Sequence, residues 1–210
     1  MDKHQEAIMD RKLEVCIKNL KLHQFDVTVL ASKAEVNPFL ESVIAKGAVV
    51  AVGGSQTIRE CDTLTWLRSG YVNFIDRYDP KADISDCFHK GLLSDVFLTS
   101  SNAVTIEGEL VNVDDTGNRV AAMIYGPKKV YVIVGLNKLV SDIEDAVHRI
   151  DTIAAPMNCE RLNKDTPCRK VGECVNCNVP QRICSETVVM HRSFTPQRIH
   201  IVFVKENLGY

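Results

Sequence analysis

Short apolar runs alternate with amphipathic stretches along the first 160 residues of the chain. The apolar runs are rich in valine and isoleucine, and they stand near residues 26–31, 48–52, 71–75, 95–99 and 129–134. Several of these runs are continuous rather than alternating, which is typical of parallel strands buried on both faces of a sheet. The stretches between them place apolar residues at helical spacing, over 3–24, 36–47, 57–70, 83–93, 120–126 and 141–155. This alternation predicts an α/β fold, a three-layer sandwich around a mostly parallel sheet.

The pattern changes after Pro156. Residues 156–185 are rich in cysteine, asparagine, proline and charge and show no periodicity, whereas 187–192 and 198–206 are again strand-like and are joined by SFTPQ. We therefore expect two regions. Residues 1–162 form the α/β domain, and 163–210 form a Cys-rich loop and a C-terminal strand pair, a β-hairpin packed on the same domain. His191 and His200 would face each other across this hairpin.

Composition narrows the class of protein. The chain has 210 residues and a formal net charge of −2, with both signs mixed along its length. A nucleic-acid-binding surface needs a clustered basic face, so we expect no nucleic-acid partner. No run approaches the ~18 apolar residues of a membrane span. The first residues, MDKHQEAIMDRKLEVC, lack the apolar segment of a secretory signal, so we expect a cytoplasmic protein.

The segment GGSQT is the first candidate for chemistry. It holds Gly53, Gly54, Ser55, Gln56 and Thr57 between a buried strand and a helix. Backbone N–H groups at such a junction are free to bind an anion, and the glycines let a ligand approach the backbone. The simpler interpretation is a tight turn in which Ser55 caps the helix.

Two further polar segments follow predicted strands. Residues 100–119 carry Asn102, Gly117, Asn118 and Arg119, and Lys138 follows the strand near 129–134. Because the carboxyl ends of parallel strands meet at one edge of a sheet, we expect 53–57, 100–103, 116–119 and 135–138 to line one anion-binding crevice. The alternatives are a solvated β-excursion for 100–119 and a solvent-facing lysine.

A longer pattern in these segments resembles a known family. GGSQTIRE, and the run from TSSNAVTIEGELVNVDDTGNRVAAMIYGPKKVYVIVGLNKLV to HRIDTIAAPMN, resemble the LUD-domain or lactate-utilisation proteins. That family is similar in fold to ribose-phosphate isomerases, CoA-transferases and 5-formyltetrahydrofolate cyclo-ligase. The resemblance implies a part in oxidising L-lactate to pyruvate, beside separate iron–sulfur and dehydrogenase-like subunits. It also implies a phosphate-type loop, because GGSQT resembles the Gly-Ser-Thr loop that holds a sugar phosphate in the related isomerases.

The stretch CRKVGECVNCNVPQRIC contains four of the eight cysteines, namely Cys168, Cys174, Cys177 and Cys184. Clustered cysteines in a cytosolic chain favour a metal site over disulfides. Four thiolates suit either zinc or an iron–sulfur cluster, and both remain open. The alternative is a set of free thiols. Cys159 is only a weak spare ligand, whereas Cys16, Cys61 and Cys87 fall in helical patterns and are expected in the core.

Three functions are compatible with these features. The leading hypothesis is a lactate-utilisation subunit with a small anionic ligand in the crevice, a four-cysteine metal or iron–sulfur site and other lactate-utilisation subunits as partners. The second is a standalone isomerase or CoA-transferase-like enzyme that acts on a phosphorylated or CoA-linked substrate, with Glu107 as the candidate catalytic carboxylate. The third is a metal-stabilised interaction module without catalysis. A homo-oligomer is compatible with all three, and the sequence does not decide whether the protein is an enzyme.

Overall fold

A six-stranded parallel sheet forms the centre of the computed structural model, which describes residues 2–210. The strands lie in the order β1–β10–β7–β4–β2–β3. Their bounds are Asp26–Leu30 (β1), Val49–Val52 (β2), Asn73–Phe74 (β3), Val96–Thr99 (β4), Lys129–Gly135 (β7) and Ile199–Val204 (β10). All five strands predicted from the apolar runs are present, and every pairing between neighbours is parallel. The α/β class and the parallel sheet are thus confirmed.

A second, smaller sheet stands beside the first. It contains Leu139–Val140 (β8), Ala103–Thr105 (β5), Leu110–Asp114 (β6) and Glu186–Met190 (β9), in the order β8–β5–β6–β9. The β5–β6 hairpin turns at Gly108, whose φ is +92°. A Cβ at this position would lie 2.8 Å from the backbone of Leu20, so only glycine lets the hairpin pack this closely on the first helix.

Nine α-helices surround the two sheets in the described part of the chain. Their bounds are Lys3–Leu22 (α1), Val36–Val43 (α2), Gln56–Glu60 (α3), Thr63–Leu67 (α4), Ile84–Leu92 (α5), Asn118–Ile124 (α6), Ile143–Arg149 (α7), Ala155–Arg161 (α8) and Pro167–Val171 (α9). A π-helical segment, Ile150–Ala154, joins α7 to α8. The helix predicted over 57–70 is divided into α3 and α4, because Asp62 takes a left-handed conformation with φ of +52°. None of the helices within residues 2–210 has the length and apolar character to cross a bilayer.

Three apolar cores hold these layers together. One face of the main sheet packs on α2, α3 and α4, through side chains such as Leu40, Ile58 and Leu67. The opposite face packs on α1, α6 and the inner side of the second sheet. The outer side of the second sheet is covered by α7 and the segments after it, through Ala146 and Ile150. The second sheet is therefore part of the same packed body as the first.

The last two strands exist, but the predicted C-terminal hairpin between them is wrong. β9 pairs with β6 in the small sheet, whereas β10 lies between β1 and β7 in the main sheet. The reason is burial: all six residues of β10 are buried, and a strand that is apolar on both faces is stable only inside a covered sheet. Residues after 163 therefore supply a central strand of the domain. His191 and His200 do not face each other; His191 contacts Glu109, and His200 contacts Thr28.

The central position of β10 predicts an unequal cost for two substitutions in the main sheet. Phe203 is fully buried in β10, whereas Val29 in the edge strand β1 is 37 % exposed. We expect Phe203→Ala to lower the free energy of unfolding by about 3–5 kcal/mol. The matched change Val29→Ala should cost under about 1 kcal/mol. Urea unfolding of both variants measures the difference, and similar costs at the two positions would contradict the observed strand order.

Candidate functional site

A cleft of about 430 Å³ opens at the carboxyl edge of the main sheet. The segments that follow β2, β4 and β7 reach it, as expected for an open α/β sheet. Of the ten residues predicted for the anion site, the structure brings seven to the wall of this cleft: Gly54, Ser55, Gln56, Asn102, Asn118, Arg119 and Lys138.

Three of the predicted residues support the wall from behind. Thr57 is fully buried and contacts Lys138 with its hydroxyl. Gly53 packs on Arg119, where a Cβ would lie 3.1 Å from Cγ of the arginine. Gly117 caps α6 with φ of +71°. These three positions shape the cleft without lining it.

Glu107 lies away from the cleft. It is exposed in the β5–β6 turn, next to Gly108, which packs on α1. The polar character of this stretch reflects a tight hairpin turn, and the hairpin carries Glu107 to the end of β5 opposite Asn102. Glu107, the candidate catalytic carboxylate, is therefore not part of the cleft.

Lys138 is the most unusual group of the cleft. Its side chain is almost fully buried, and its Nζ donates to Thr57 Oγ1 and to Ser100 Oγ, both at 2.9 Å. Within residues 2–210 no carboxylate forms an ion pair with it. Burial, together with the nearby charges of Arg149 and Arg119, lowers the pKa of Lys138 to about 7. A third hydrogen-bonding position of the ammonium is left for a ligand.

Arg119 forms the second buried cationic group. Its guanidinium donates to Asn112 Oδ1 at 2.6 Å and to Asn102 Oδ1 at 3.0 Å, and its Nε lies 3.3 Å from Asp114 Oδ1. Burial lowers the pKa of Arg119, and the charge of Asp114 opposes that shift. Asn112 Nδ2 is buried and has no partner among the described residues. Arg119 thus joins the strand ends to α6 and shapes the floor of the cleft.

The residues after β10 close one side of the cleft. Leu208 N donates to Asn137 Oδ1 at 2.9 Å, and the carbonyl of Leu208 accepts from Thr57 Oγ1 at 3.2 Å. A Cβ at Gly209 would lie 2.6 Å from Thr57 Oγ1 and 3.4 Å from Lys138 Nζ. Only glycine fits here, so the backbone of this segment covers the lysine closely.

Several cationic and aromatic side chains of the cleft were not predicted from the sequence. Arg77 stacks on Phe88 with its guanidinium 4.5 Å from the ring centroid, and Arg59 stacks on Tyr78 at 4.4 Å. Neither arginine forms an ion pair within residues 2–210. The cleft is lined by five basic residues and two acidic ones. The basic residues are Arg59, Arg77, Arg119, Lys138 and Arg161, and the acidic residues are Asp114 and Asp115. This excess of positive charge favours an anionic ligand.

The four tail cysteines lie around a second, small cavity, here called the thiol pocket. Its lining includes Cys168, Cys174, Cys177, Cys184 and also Cys159 from α8. All eight cysteines of the chain are free thiols. No group of three or more histidine, cysteine or acidic residues within residues 2–210 already has the geometry to hold a metal ion. The donor atoms suit zinc or an iron–sulfur cluster, but their present arrangement does not surround one point.

Burial controls the protonation of these thiols. It raises the pKa of Cys159 and of Cys174, and it raises the pKa of Cys184 to about 12. Without a cation these three groups are therefore neutral thiols at physiological pH. Cys16 and Cys61 are buried in the core, as predicted, whereas Cys87 is half-buried.

The fold and its edge cleft define an α/β protein with a cleft beyond the carboxyl ends of its parallel strands. The model of the LUD domain matches residues 13–204, and the chain belongs to the LUD-domain family. At the level of the family it is a lactate-utilisation-type protein. The match extends across residue 162, in keeping with the central position of β10.

A solved structure shows the same fold, and two others have lower structural similarity. A DUF162 family protein from Deinococcus radiodurans is similar over 93 % of this chain and 97 % of its own, with 14 % identity and a TM-score of 0.55. The α subunit of a malonate decarboxylase from Acinetobacter baumannii is 13 % identical, over 95 % of this chain but 38 % of its own, with a TM-score of 0.41. A Pseudomonas malonate decarboxylase hetero-tetramer in complex with malonate is 14 % identical, over 69 % of this chain and 35 % of its own, with a TM-score of 0.38. Among curated proteins none matches this chain.

The buried lysine predicts a pH dependence of stability. The unfolded chain holds a proton on Lys138 up to its ordinary pKa of 10.5, whereas the folded protein releases it near pH 7. Between these values the unfolded state binds more protons at Lys138, so this residue alone makes the free energy of unfolding rise with pH, by on the order of 4 kcal/mol in all. Urea unfolding from pH 7 to about pH 8.5 measures the first part of this rise, below the range in which the buried thiols Cys16, Cys61 and Cys184, whose pKa values burial raises, lower the stability.

Two variants assign the effect to its source. Lys138→Met should remove most of the rise, because methionine keeps the length of the side chain and carries no proton. Lys128→Met is the control, since Lys128 is exposed and pairs with Asp95 at the surface. A rise that persists unchanged in Lys138→Met would show that the lysine titrates normally.

Proposed function

We propose that the cleft binds a small carboxylate-bearing anion and that the protein acts as a lactate-utilisation subunit in the oxidation of L-lactate to pyruvate. The single observation that carries this proposal is the buried Nζ of Lys138, held by two hydroxyls and, among the described residues, by no carboxylate. A buried ammonium without a counter-charge is costly, and an anionic ligand removes that cost.

The charges around the lysine support a ligand of this kind. Arg77 and Arg59 stand at the cleft wall with their guanidinium groups stacked on aromatic rings and without ion pairs in the described chain. A guanidinium binds a carboxylate through two parallel hydrogen bonds, and stacking on a ring holds its plane in place. These arginines would hold the carboxylate, and Lys138 would meet the oxygen on the neighbouring carbon.

The cleft residues have a defined part in such a reaction. Oxidation of lactate removes two electrons and two protons from its hydroxyl-bearing carbon and oxygen. The bound carboxylate would keep Lys138 protonated, so its ammonium would donate a hydrogen bond to the substrate oxygen and stabilise the alkoxide that forms as the hydroxyl proton passes to water. The hydrogen on carbon would leave with both electrons, as a hydride equivalent, to a hydride acceptor on another lactate-utilisation subunit, which makes partner binding part of the proposal. Cytoplasmic location remains a prediction from the sequence.

The alternative of a standalone isomerase or CoA-transferase-like enzyme has less support. It requires a catalytic carboxylate beside the anion site, and Glu107 lies outside the cleft. The acidic residues of the cleft are Asp114, which contacts Arg119, and Asp115, which is exposed. Among the described residues, Asp115 is the carboxylate of this cleft wall that remains available for such chemistry. Turnover of ribose 5-phosphate or of a CoA ester that is lost in Asp115→Asn would favour this alternative.

Ligand binding gives the direct test of the proposed site. Calorimetric titration with pyruvate and with L-lactate, at low ionic strength, should detect binding to the wild type. Arg77→Gln should weaken it by about tenfold or more, because a charge-assisted hydrogen bond contributes roughly 1.5–3 kcal/mol. Lys138→Met should weaken it by a similar factor.

A surface arginine supplies the matched control. Arg11 is exposed on α1, so Arg11→Gln changes the net charge equally without touching the cleft. We expect its affinity for both ligands to equal that of the wild type. Equal weakening by Arg11→Gln and Arg77→Gln would mean that only the overall charge matters, and unchanged binding by Arg77→Gln would remove the arginine from the site.

A further inference from the structure

Two cysteine sulfurs of the thiol pocket already stand at the spacing found on a single metal. The Sγ atoms of Cys159 and Cys168 are 3.6 Å apart. Two thiolates bound to one tetrahedral metal at ~2.3 Å each lie about 3.8 Å apart. Both residues are buried and belong to helices, Cys159 to α8 and Cys168 to α9. Half of a tetrahedral site is therefore present on regular structure.

The Cys174–Cys177 pair has the local geometry of a metal-binding turn. Asn176 takes a left-handed conformation with φ of +47°, and its N–H donates to Cys174 Sγ at 3.3 Å. An N–H bond of this kind stabilises a thiolate that binds a metal. The turn is fixed to the π-helical segment through Cys174 N, which donates to Asp151 O at 2.8 Å. Both sulfurs line the same pocket as Cys159 and Cys168.

Cys184 differs from the other four thiols of the pocket. It packs on the apolar core between the second sheet and α7, as Val113 and Val189 also do. Its carbonyl accepts from Arg182 Nε at 2.8 Å, and the same guanidinium donates to the carbonyl of Cys177. Arg182 thereby links the backbone at Cys177 to the backbone at Cys184. It also lines the pocket, so its positive charge would offset the negative charge of metal-bound thiolates. We assign Cys184 this packing role, although it also lines the pocket near Cys159, Cys168 and Cys174.

We propose that the thiol pocket is a metal centre whose four ligands are Cys159, Cys168, Cys174 and Cys177. The sulfurs take a thiophilic metal, either zinc or iron with inorganic sulfide, since both prefer four thiolates. Binding releases the thiol protons and draws the Cys174–Cys177 turn onto the preformed pair. This set differs from the one predicted from the sequence at one ligand. Cys159, which the sequence spacing made only a weak candidate, takes the place of Cys184.

The metal would order a segment that has little else to hold it. Between 163 and 185 the only regular element among the described residues is the short helix α9, and Val171 and Val175 are exposed. Such a segment gains little from burial, so ligation would supply its ordering free energy. It would also fix the cleft, because Ile183 lines both cavities and Asn158, next to Cys159, lines the cleft.

Cobalt(II) is the probe that reports the number of thiolates directly, through its thiolate charge-transfer absorption. Protein purified anaerobically and stripped with a chelator should bind about one cobalt per chain, and zinc should displace it. A separate arm reconstitutes the protein with iron and sulfide. Cobalt and zinc binding identifies a single-ion site, and visible absorption with stoichiometric iron and sulfide identifies a cluster; either supports the proposal. Failure of both arms in the wild type overturns it.

Three variants test the ligand set. Cys159→Ala should weaken cobalt binding at least ~10-fold and lower the thiolate absorption by about a quarter, since one ligand of four is lost. Cys184→Ser should bind as the wild type does. Cys61→Ala, which removes a buried thiol outside the pocket, is the control for damage to the core. Thermal unfolding of each variant establishes that it is folded. Wild-type binding by Cys159→Ala, or loss of binding in Cys184→Ser, would overturn this assignment of ligands.

Discussion

The architecture of the cleft depends on one costly arrangement, the burial of the Lys138 ammonium beneath the carboxyl edge of the main sheet. The side chain is almost fully buried, and its Nζ donates hydrogen bonds to the hydroxyls of Thr57 and Ser100. Each partner comes from a different strand end: Thr57 follows β2, Ser100 follows β4 and Lys138 follows β7. The strands β7, β4 and β2 are parallel neighbours in the main sheet, so their carboxyl ends bring these three groups together. The position of Lys138 therefore depends on the order of the strands.

The strand β10 and the residues after it also contribute to this arrangement. It holds β1 against β7, and the residues that follow it run across the start of α3 and cover Lys138. Gly209 is required there because a side chain would collide with Thr57. Loss of the final segment would therefore expose the lysine to water and return its pKa toward the ordinary value. In this protein the C-terminal region forms part of the cleft as well as part of the fold.

The local sequence pattern was sufficient to predict the early strands and most residues of the cleft. It failed where the structure depends on the pairing of segments distant in sequence. The apolar runs identified all five early strands, and the rule of carboxyl ends brought seven of ten residues to the cleft wall. The same rule would have found Arg77, which follows β3. The pairing of β10 with two strands distant in sequence leaves no local signal. Cys159 was undervalued because spacing along the chain does not show that α8 and α9 bring two sulfurs together.

Proton uptake on ligand binding tests the central claim most directly. At pH 8 the free protein holds Lys138 mostly as the neutral amine, because its pKa is about 7. A bound carboxylate raises that pKa, so binding should take up a proton. Calorimetric titration with pyruvate in buffers of different ionisation enthalpy gives the number taken up. We predict uptake approaching one proton per chain in the wild type and none in Lys138→Met. Binding to the wild type without proton uptake, or equal uptake in the variant, would contradict the account.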